Sequence, residues 1–379
     1  MSDYYDRVEA QLAALTERGA HRRRRARIAL PRLRFGGEWA AVAASLLIVV
    51  VVGAAILGIR ASRRQGASGK HTVARSTSSA TSSAARVPNP FRVIARYSAS
   101  SLGLRGPANL AIGPDGNLYI PDASQRVTVV SPQGRVLRRW GRPGKGPGEL
   151  DFVKHQPGVP QVSAGIAVGA DGRVYVDDSG NARVEVFSPT GTFVRQFGGH
   201  GYGRRQILFS NYLAADGQGD VYLADDQKKT TSKYSPTGAL DWVIGGASAT
   251  DPDLIGHFHI SSSSIDPHAR LLIANDDRSR ILYIDGSGHK VDAFGALRDF
   301  KDGPCDVTVD AAHNTYVNSC QEPLQSPHYT EVFDRTHRLI GKWYPSPFAF
   351  SPRFGPRGEV LALGEDGSIL RLRIALAGA

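Results

Sequence analysis

One large residue, usually a tyrosine, returns along this 379-residue chain at Tyr119, Tyr175, Tyr222, Leu272, Tyr316 and Leu361, at intervals of 56, 47, 50, 44 and 45 residues. Each sits in the second of a series of short runs in which apolar and polar residues alternate, the period-2 signature of half-buried strands. The clearest copy is Gly165 to Gly198. In it Ile166 and Val168, Val174 and Val176, Val184 and Val186, and Phe193 and Phe197 mark four strands. Asp171-Gly172, Asp178-Ser179-Gly180-Asn181 and Ser188-Pro189-Thr190-Gly191 are the turns between them. A four-stranded antiparallel meander cannot bury both faces alone, so a chain that repeats it must stack the copies into a propeller or a solenoid.

The ends of the array choose between the two. Copies run over Asn109–Gly141, Gly165–Gly198 and Asn211–Gly245, with weaker ones at Ser263–Gly295 and Cys305–Trp343. A sixth begins at Phe348 and has no fourth strand before the chain ends. Upstream of the first copy, Phe91 to Ser98 (FRVIARYS) has the look of the fourth strands RVLRRWG, TFVRQFG and RLIGKWY. Three strands from one end and one from the other complete a blade and leave fewer exposed edges than an open array. The expected fold is therefore an all-β, six-bladed β-propeller over residues 91–379, closed 3+1 by its N-terminal strand.

Charge divides the chain. Residues 1–90 hold 15 Lys+Arg against 5 Asp+Glu, whereas residues 91–379 hold 31 against 30. The near-neutral propeller does not suit a phosphate-tracking groove, so no nucleic-acid partner is expected. The cationic excess has a local reading. Ala40 to Ile59 is free of charge and long enough to cross a hydrocarbon core of about 30 Å, with Trp39 at the interface. A cleaved signal peptide is the alternative, but the apolar run exceeds an h-region and no clean A-x-A site follows.

Seven arginines from Arg22 to Arg34 precede the span and four basic residues follow it closely, which favours an inside N-terminus. The expected organisation is a cytoplasmic basic segment at 1–38 with a short helix over Asp3–Gly19, and a transmembrane helix at 39–59. A flexible Ser-rich linker follows at 60–90, with a reach of roughly 30 Å. The propeller then lies outside the cytoplasm, anchored by a single pass. Abundant Arg and Ala suit a bacterium with a GC-rich genome.

In AGIAVGADGRVYVDDSGNARVEVFSPTGTFVRQFG the alternating second strand, the Asp-x-Gly-Asn turn, Arg183-Val184 and the closing Phe197-Gly198 resemble NHL repeats. These are propeller repeats found in bacterial sensor ectodomains, animal TRIM-type proteins and the amidating lyase. The resemblance implies the propeller and, with the anchor, an extracytoplasmic sensor or binding domain. It does not carry over the lyase's zinc histidines. The matching positions read Pro107-Ala108, Ala164 and Pro304-Cys305.

Function is expected on the face where the d-to-a and b-to-c connections emerge, because long irregular loops on a rigid ring are where binding usually resides. The d-to-a loops carry His155, His200 with Tyr202, Arg204 and Arg205, and the pair His257 and His259. The b-to-c turns repeat acids at Asp122, Asp177-Asp178, Asp225-Asp226 and Asp276-Asp277, with Asn318 in the fifth copy. Asp178 is read as a turn residue paired with Arg183, and likewise Asp122 with Arg126 and Asp277 with Arg280. Asp177, Asp225 and Asp276 are then left as the better ligand contacts.

No cofactor is assigned. Ca²⁺ on the acids and Zn²⁺ on His257 and His259, with His155 or His200 as third ligand, are the two metals the pattern admits. No nucleophile elbow, P-loop or HExxH is present and no catalytic residue is assigned. The function read from the sequence is a ligand-binding or protein-interaction module for a protein, peptide or glycan. A metal-dependent lyase or hydrolase on the same face is the alternative.

The only cysteines, Cys305 and Cys320, are expected to form a disulfide. Transferring the Val168–Val174 register to the fifth copy sets Val309 near Thr315. Cys305 then lies opposite Ser319 and next to Cys320, within bridging distance if a small bulge intervenes.

Overall fold

The computed structural model describes residues 87–376 except 155–160, 163, 297–299, 301–302, 320–328 and 345. The expected basic segment, the expected membrane span and most of the expected linker lie outside the described residues. No helix among the described residues is long and apolar enough to cross a membrane.

Six four-stranded antiparallel sheets follow one another along the chain. The first five are meanders with strands a to d in sequence order. Blade 2 is typical, with strands Ile166–Val168, Val174–Asp178, Arg183–Phe187 and Phe193–Gly198. The sixth sheet joins strands a to c, Arg353–Phe354, Val360–Leu363 and Ile369–Ile374, to strand d, Phe91–Tyr97. Phe91 pairs with Ile374 and Tyr97 with Ile369, so the N-terminal strand closes the last blade as its sequence suggests.

The core lies between blades. Six buried apolar clusters each combine neighbouring sheets, one for every interface round the ring, including Leu118, Ile120 and Val130 of blade 1 with Leu361, Leu363 and Ile369 of blade 6. The recurring tyrosine is the polar member of this core. Its ring is buried on strand b, and in three blades its hydroxyl donates to the carboxylate of the a–b turn, Tyr119 to Asp115 at 3.2 Å, Tyr222 to Asp216 at 3.1 Å and Tyr316 to Asp310 at 2.9 Å, whereas Tyr175 donates to the Gly219 carbonyl of the next blade at 3.3 Å. Each of these aspartates also accepts backbone N–H groups of its own turn, so one side chain fixes the hairpin and satisfies a buried phenol.

Blade 4 departs from the expected boundaries. Its strand a is Phe258–His259, paired with Ala274 and Asn275, and does not begin at Ser263. Ser261 to Ser264 then leave the sheet towards the axis, where the Ser261 and Ser264 hydroxyls donate to the Val307 carbonyl and Ser262 Oγ reaches the Leu110 carbonyl of blade 1 at 3.3 Å. These hydroxyl bonds add to the backbone bonds that remain, from the Leu272 N–H to the Ser264 carbonyl and from the Val309 N–H to the Ser263 carbonyl.

In blade 5 Val309 pairs with Thr315 as expected, and the register shifts between Pro304 and Asp306, leaving Cys305 at the irregularity. Cys305 is buried and no free cysteine occurs among the described residues. Cys320 lies outside them, so the pairing itself stands as an expectation.

Candidate functional site

On the d–a/b–c face the residue that ends strand b has one recurring task. Strand b closes with Asp122, Asp178, Asp225 and Asn275 in blades 1 to 4, and each of these side chains holds the loop that enters its own blade. Asp122 accepts the Arg105 N–H, Asp178 the Asp151 N–H, and Asp225 the Leu208 and Phe209 N–H groups. Asn275 donates to the Asp253 and Ile255 carbonyls at 2.8 and 3.2 Å.

This regroups the acids read from sequence. Asp225 belongs with Asp122 and Asp178, not with Asp177 and Asp276, and Asp277 lies two residues past the strand-b end. Burial raises the Asp225 carboxyl above its ordinary range, against the backbone N–H groups that it accepts.

Of the three expected Asp–Arg pairs only one forms. Arg183 contacts Asp178 at 2.8 Å and Glu185 at 2.7 Å, and its remaining donors reach the Lys145, Gly146 and Glu149 carbonyls of the incoming loop. Burial pushes the Asp178 carboxyl up to about 6 and that of Glu185 up to about 7, against the pull of Arg183. Asp122 instead binds the Arg105 and Ser124 amides. Arg280 turns to Asp253 at 3.5 Å, and Asp277 turns to His257 and Lys229.

The other expected contacts fall into three places. Asp177 and Asn318 are fully buried, the first accepting from Ser210 Oγ at 2.6 Å and the second from Thr330 Oγ1 at 2.8 Å. His155 lies outside the described residues. His200, Tyr202 and Arg204 share one exposed loop, and Tyr202 is 83% exposed. That loop is nonetheless fixed. His200 bridges Ile207, Lys228 Nζ donates to the Gly203 and Gln206 carbonyls at 2.9 and 2.8 Å, and Asp225 holds its exit.

The fourth blade brings charged groups together. His257 and His259 flank Phe258, which is buried in the blade 3/4 cluster, and both imidazoles meet the Asp276-Asp277 turn. His257 Nδ1 lies 3.1 Å from Asp277 Oδ1 and 3.9 Å from Asp276 Oδ1, and His259 Nε2 lies 3.4 Å from Asp276 Oδ2. The convergence of the two histidines was legible in their i, i+2 spacing. Their partners are the two aspartates, and His200 is not among them. Asp277 is held below the ordinary carboxylate range: burial pushes it upward, but the His257 and Lys229 contacts outweigh that.

Behind His259, Asp306 and Arg353 form a buried pair at 2.8 Å, with Arg353 also donating to Asn109 of blade 1 at 3.3 Å. Neither residue stands out in the sequence, since each is a lone charge in a strand-a run separated from its partner by a whole blade.

The opposite mouth of the ring is an apolar depression of about 410 Å³ lined by Ile112, Val168, Ile265, Val309 and Phe354. Its acids Asp266 and Asp310 are engaged within their own turns.

No family model and no curated protein matches this chain. Among solved structures it is similar to a streptogramin B lyase, at 12% identity over 75% of this chain and 98% of that one, with a TM-score of 0.49. It is also similar to a catalytically inactive virginiamycin B lyase from Staphylococcus aureus with quinupristin, at 12% identity over 75% and 100% of the two chains and a TM-score of 0.48. A protein of unknown function from Bacteroides caccae is similar at 12% identity over 62% and 80%, with a TM-score of 0.42. Likenesses this distant assign no site.

Proposed function

We propose that this chain is a single-pass, membrane-anchored envelope protein whose NHL-like propeller stands outside the cytoplasm. There it acts as a binding module for a protein, peptide or glycan through its d–a/b–c face. The observation that carries the reading is Tyr202. An aromatic ring 83% exposed, next to Arg204 and Arg205, sits on a loop fixed at its start, middle and exit. An exposed Tyr–Arg group on rigid backbone gives contact area without an ordering cost on binding, the composition and stiffness that interface anchors favour. The acids at the strand-b ends serve this face by holding its loops, and do not themselves need to touch the ligand.

A photo-crosslinking residue at position 202 of the full chain in intact cells should trap a ligand that the same residue at Thr190, on the other face, does not. Tyr202→Ala should abolish binding of that ligand without changing the melting temperature. External protease should reach the propeller in cells stripped of their outer layers. Equal trapping at both positions, or protection from the protease, would overturn the proposal. A metal-dependent lyase or hydrolase is the second reading, favoured by the His257, His259, Asp276 and Asp277 group.

A further inference from the structure

We infer that His257, His259, Asp276 and Asp277 hold one divalent cation of the Zn²⁺ class. The inference concerns the ion alone and stands whether or not the Tyr202 loop binds a partner. Ligand atoms of His257, Asp276 and Asp277 all lie within 4.8 Å of one another. Around a tetrahedral zinc with bonds of about 2.0–2.1 Å, ligand atoms stand about 3.3–3.4 Å apart. The His257 Nδ1 separations of 3.1 Å from Asp277 and 3.9 Å from Asp276 straddle that edge length, so small side-chain rotations bring these three donors onto one ion. His259 stands outside that three-residue group, with its Nε2 3.4 Å from the other oxygen of Asp276, and becomes the fourth donor by a further rotation of its ring.

His259 is an observation independent of the exposed acids. It is 7% exposed, its ring packs edge-on against Tyr212 at 4.9 Å, and neither ring nitrogen makes a hydrogen bond. An imidazole buried with both nitrogens unbonded is costly. Its Nε2 is directed at Asp276, close enough for a shared ligand and without a hydrogen bond between them. A cation between the two groups removes the cost for the imidazole and the mutual repulsion of the adjacent carboxylates together. The ammonium of Lys229, 3.4 Å from Asp277 Oδ2, reaches only one of those carboxylates.

The donors rest on rigid elements. The ladder pairs Phe258 with Asn275 and His259 with Ala274, which fixes both halves of the set in register. Asn275 is a positioning residue. Its amide holds the Asp253–Ile255 segment that leads into His257, and Asp276 follows it directly in the chain. Two imidazoles and two carboxylates select a borderline transition ion over Ca²⁺, which takes six to eight oxygens.

The test uses the purified full chain, dialysed in turn against Zn²⁺, Mn²⁺ and Ca²⁺, freed of loose ion and assayed for metal per chain. Thermal melts are recorded with and without chelator. About one Zn²⁺ per chain is expected, with Ca²⁺ retained weakly and a melting temperature that rises with zinc. His259→Gln and Asp276→Asn should each weaken zinc binding by well over tenfold, while His200→Gln leaves it unchanged. Should His259→Gln fail to fold, the more exposed His257→Gln decides the matter, since its loss leaves the core intact. Zinc retained equally by His257→Gln and Asp276→Asn, no retention by the unaltered chain, or a stoichiometry set by His200 would each overturn the inference. None of these results bears on trapping at position 202.

Discussion

At the scale of single residues the most consequential group is buried in blade 2, where Asp178 and Glu185 share Arg183, both carboxylate side chains being 0% exposed. Glu185 is pushed from an ordinary 4.5 up to about 7, and Asp178 from 3.8 up to about 6, in both cases chiefly by burial. A carboxyl whose folded value is raised holds its proton more tightly folded than unfolded. Folding therefore takes up protons in this window, and the two groups weaken stability as pH rises from about 4 to about 7. Glu185→Gln removes its share. The melting temperature of the variant should vary less with pH between 4.5 and 7 than that of the parent, a slope difference of at most about 1.4 kcal/mol per pH unit. An unchanged slope would mean that Glu185 keeps an ordinary carboxyl. Sequence could place Asp178 beside Arg183, because five residues separate them across one hairpin. It could not reveal Glu185 as the third member, since an acid at a strand position reads as solvent-facing until the incoming loop covers it.

At the scale of elements, the hairpins and the closing strand Phe91–Tyr97 were legible, and the side-chain seams between blades were not. The a–b and c–d turns follow from residues two to four apart, and they form as read. How blades join is visible only in three dimensions. Gly134 and Gly191, both with positive φ, close c–d turns directly against Tyr97 and Trp140 of the preceding blade's outer strand, and a Cβ at either would collide with the ring. In blade 5 His337 adopts the same left-handed backbone and stacks on Phe294 at 4.3 Å, a solution no turn preference suggests.

The strand-a irregularity of blade 5 leads to a prediction at this scale. Cys305 occupies the register shift that a bridge to the residue after Ser319 requires. If the Cys305–Cys320 bridge forms, the unfolded but unreduced protein shows no titratable thiol. Reduction then lowers the melting temperature by the equivalent of about 3 kcal/mol, the loop-entropy contribution of a 15-residue ring. Two reactive thiols would remove the bridge and, with it, one support for an oxidising location.

At the scale of the whole molecule, everything depends on a ring whose last blade is shared between the two ends of the propeller. Phe91 is 6% exposed and lies among Tyr316, Trp343 and Phe348, at ring separations of 6.1, 5.6 and 5.5 Å. The closing strand therefore packs blade 6 against blade 5 as well as pairing with Ile369–Ile374. The Pro88 and Pro90 carbonyls, which accept from the Lys342 and Ala375 N–H groups, extend that hold upstream. Phe91→Ala should cost about 3–5 kcal/mol, the usual toll of emptying an aromatic site in a core. Removing Phe91–Tyr97 from the chain should do more: it leaves Ile369–Ile374 with an unpaired edge and uncovers the apolar faces of Leu370 and Leu372. Because neighbouring blades bury each other's faces, that loss spreads to both adjoining interfaces. The deletion should then melt broadly at lower temperature and aggregate, whereas a chain shortened only as far as Val87 should keep one cooperative transition. If the deletion instead melted as sharply and as high as the parent, the ring would have to be held by its blade interfaces alone, with the strand shared between the two ends contributing only cover.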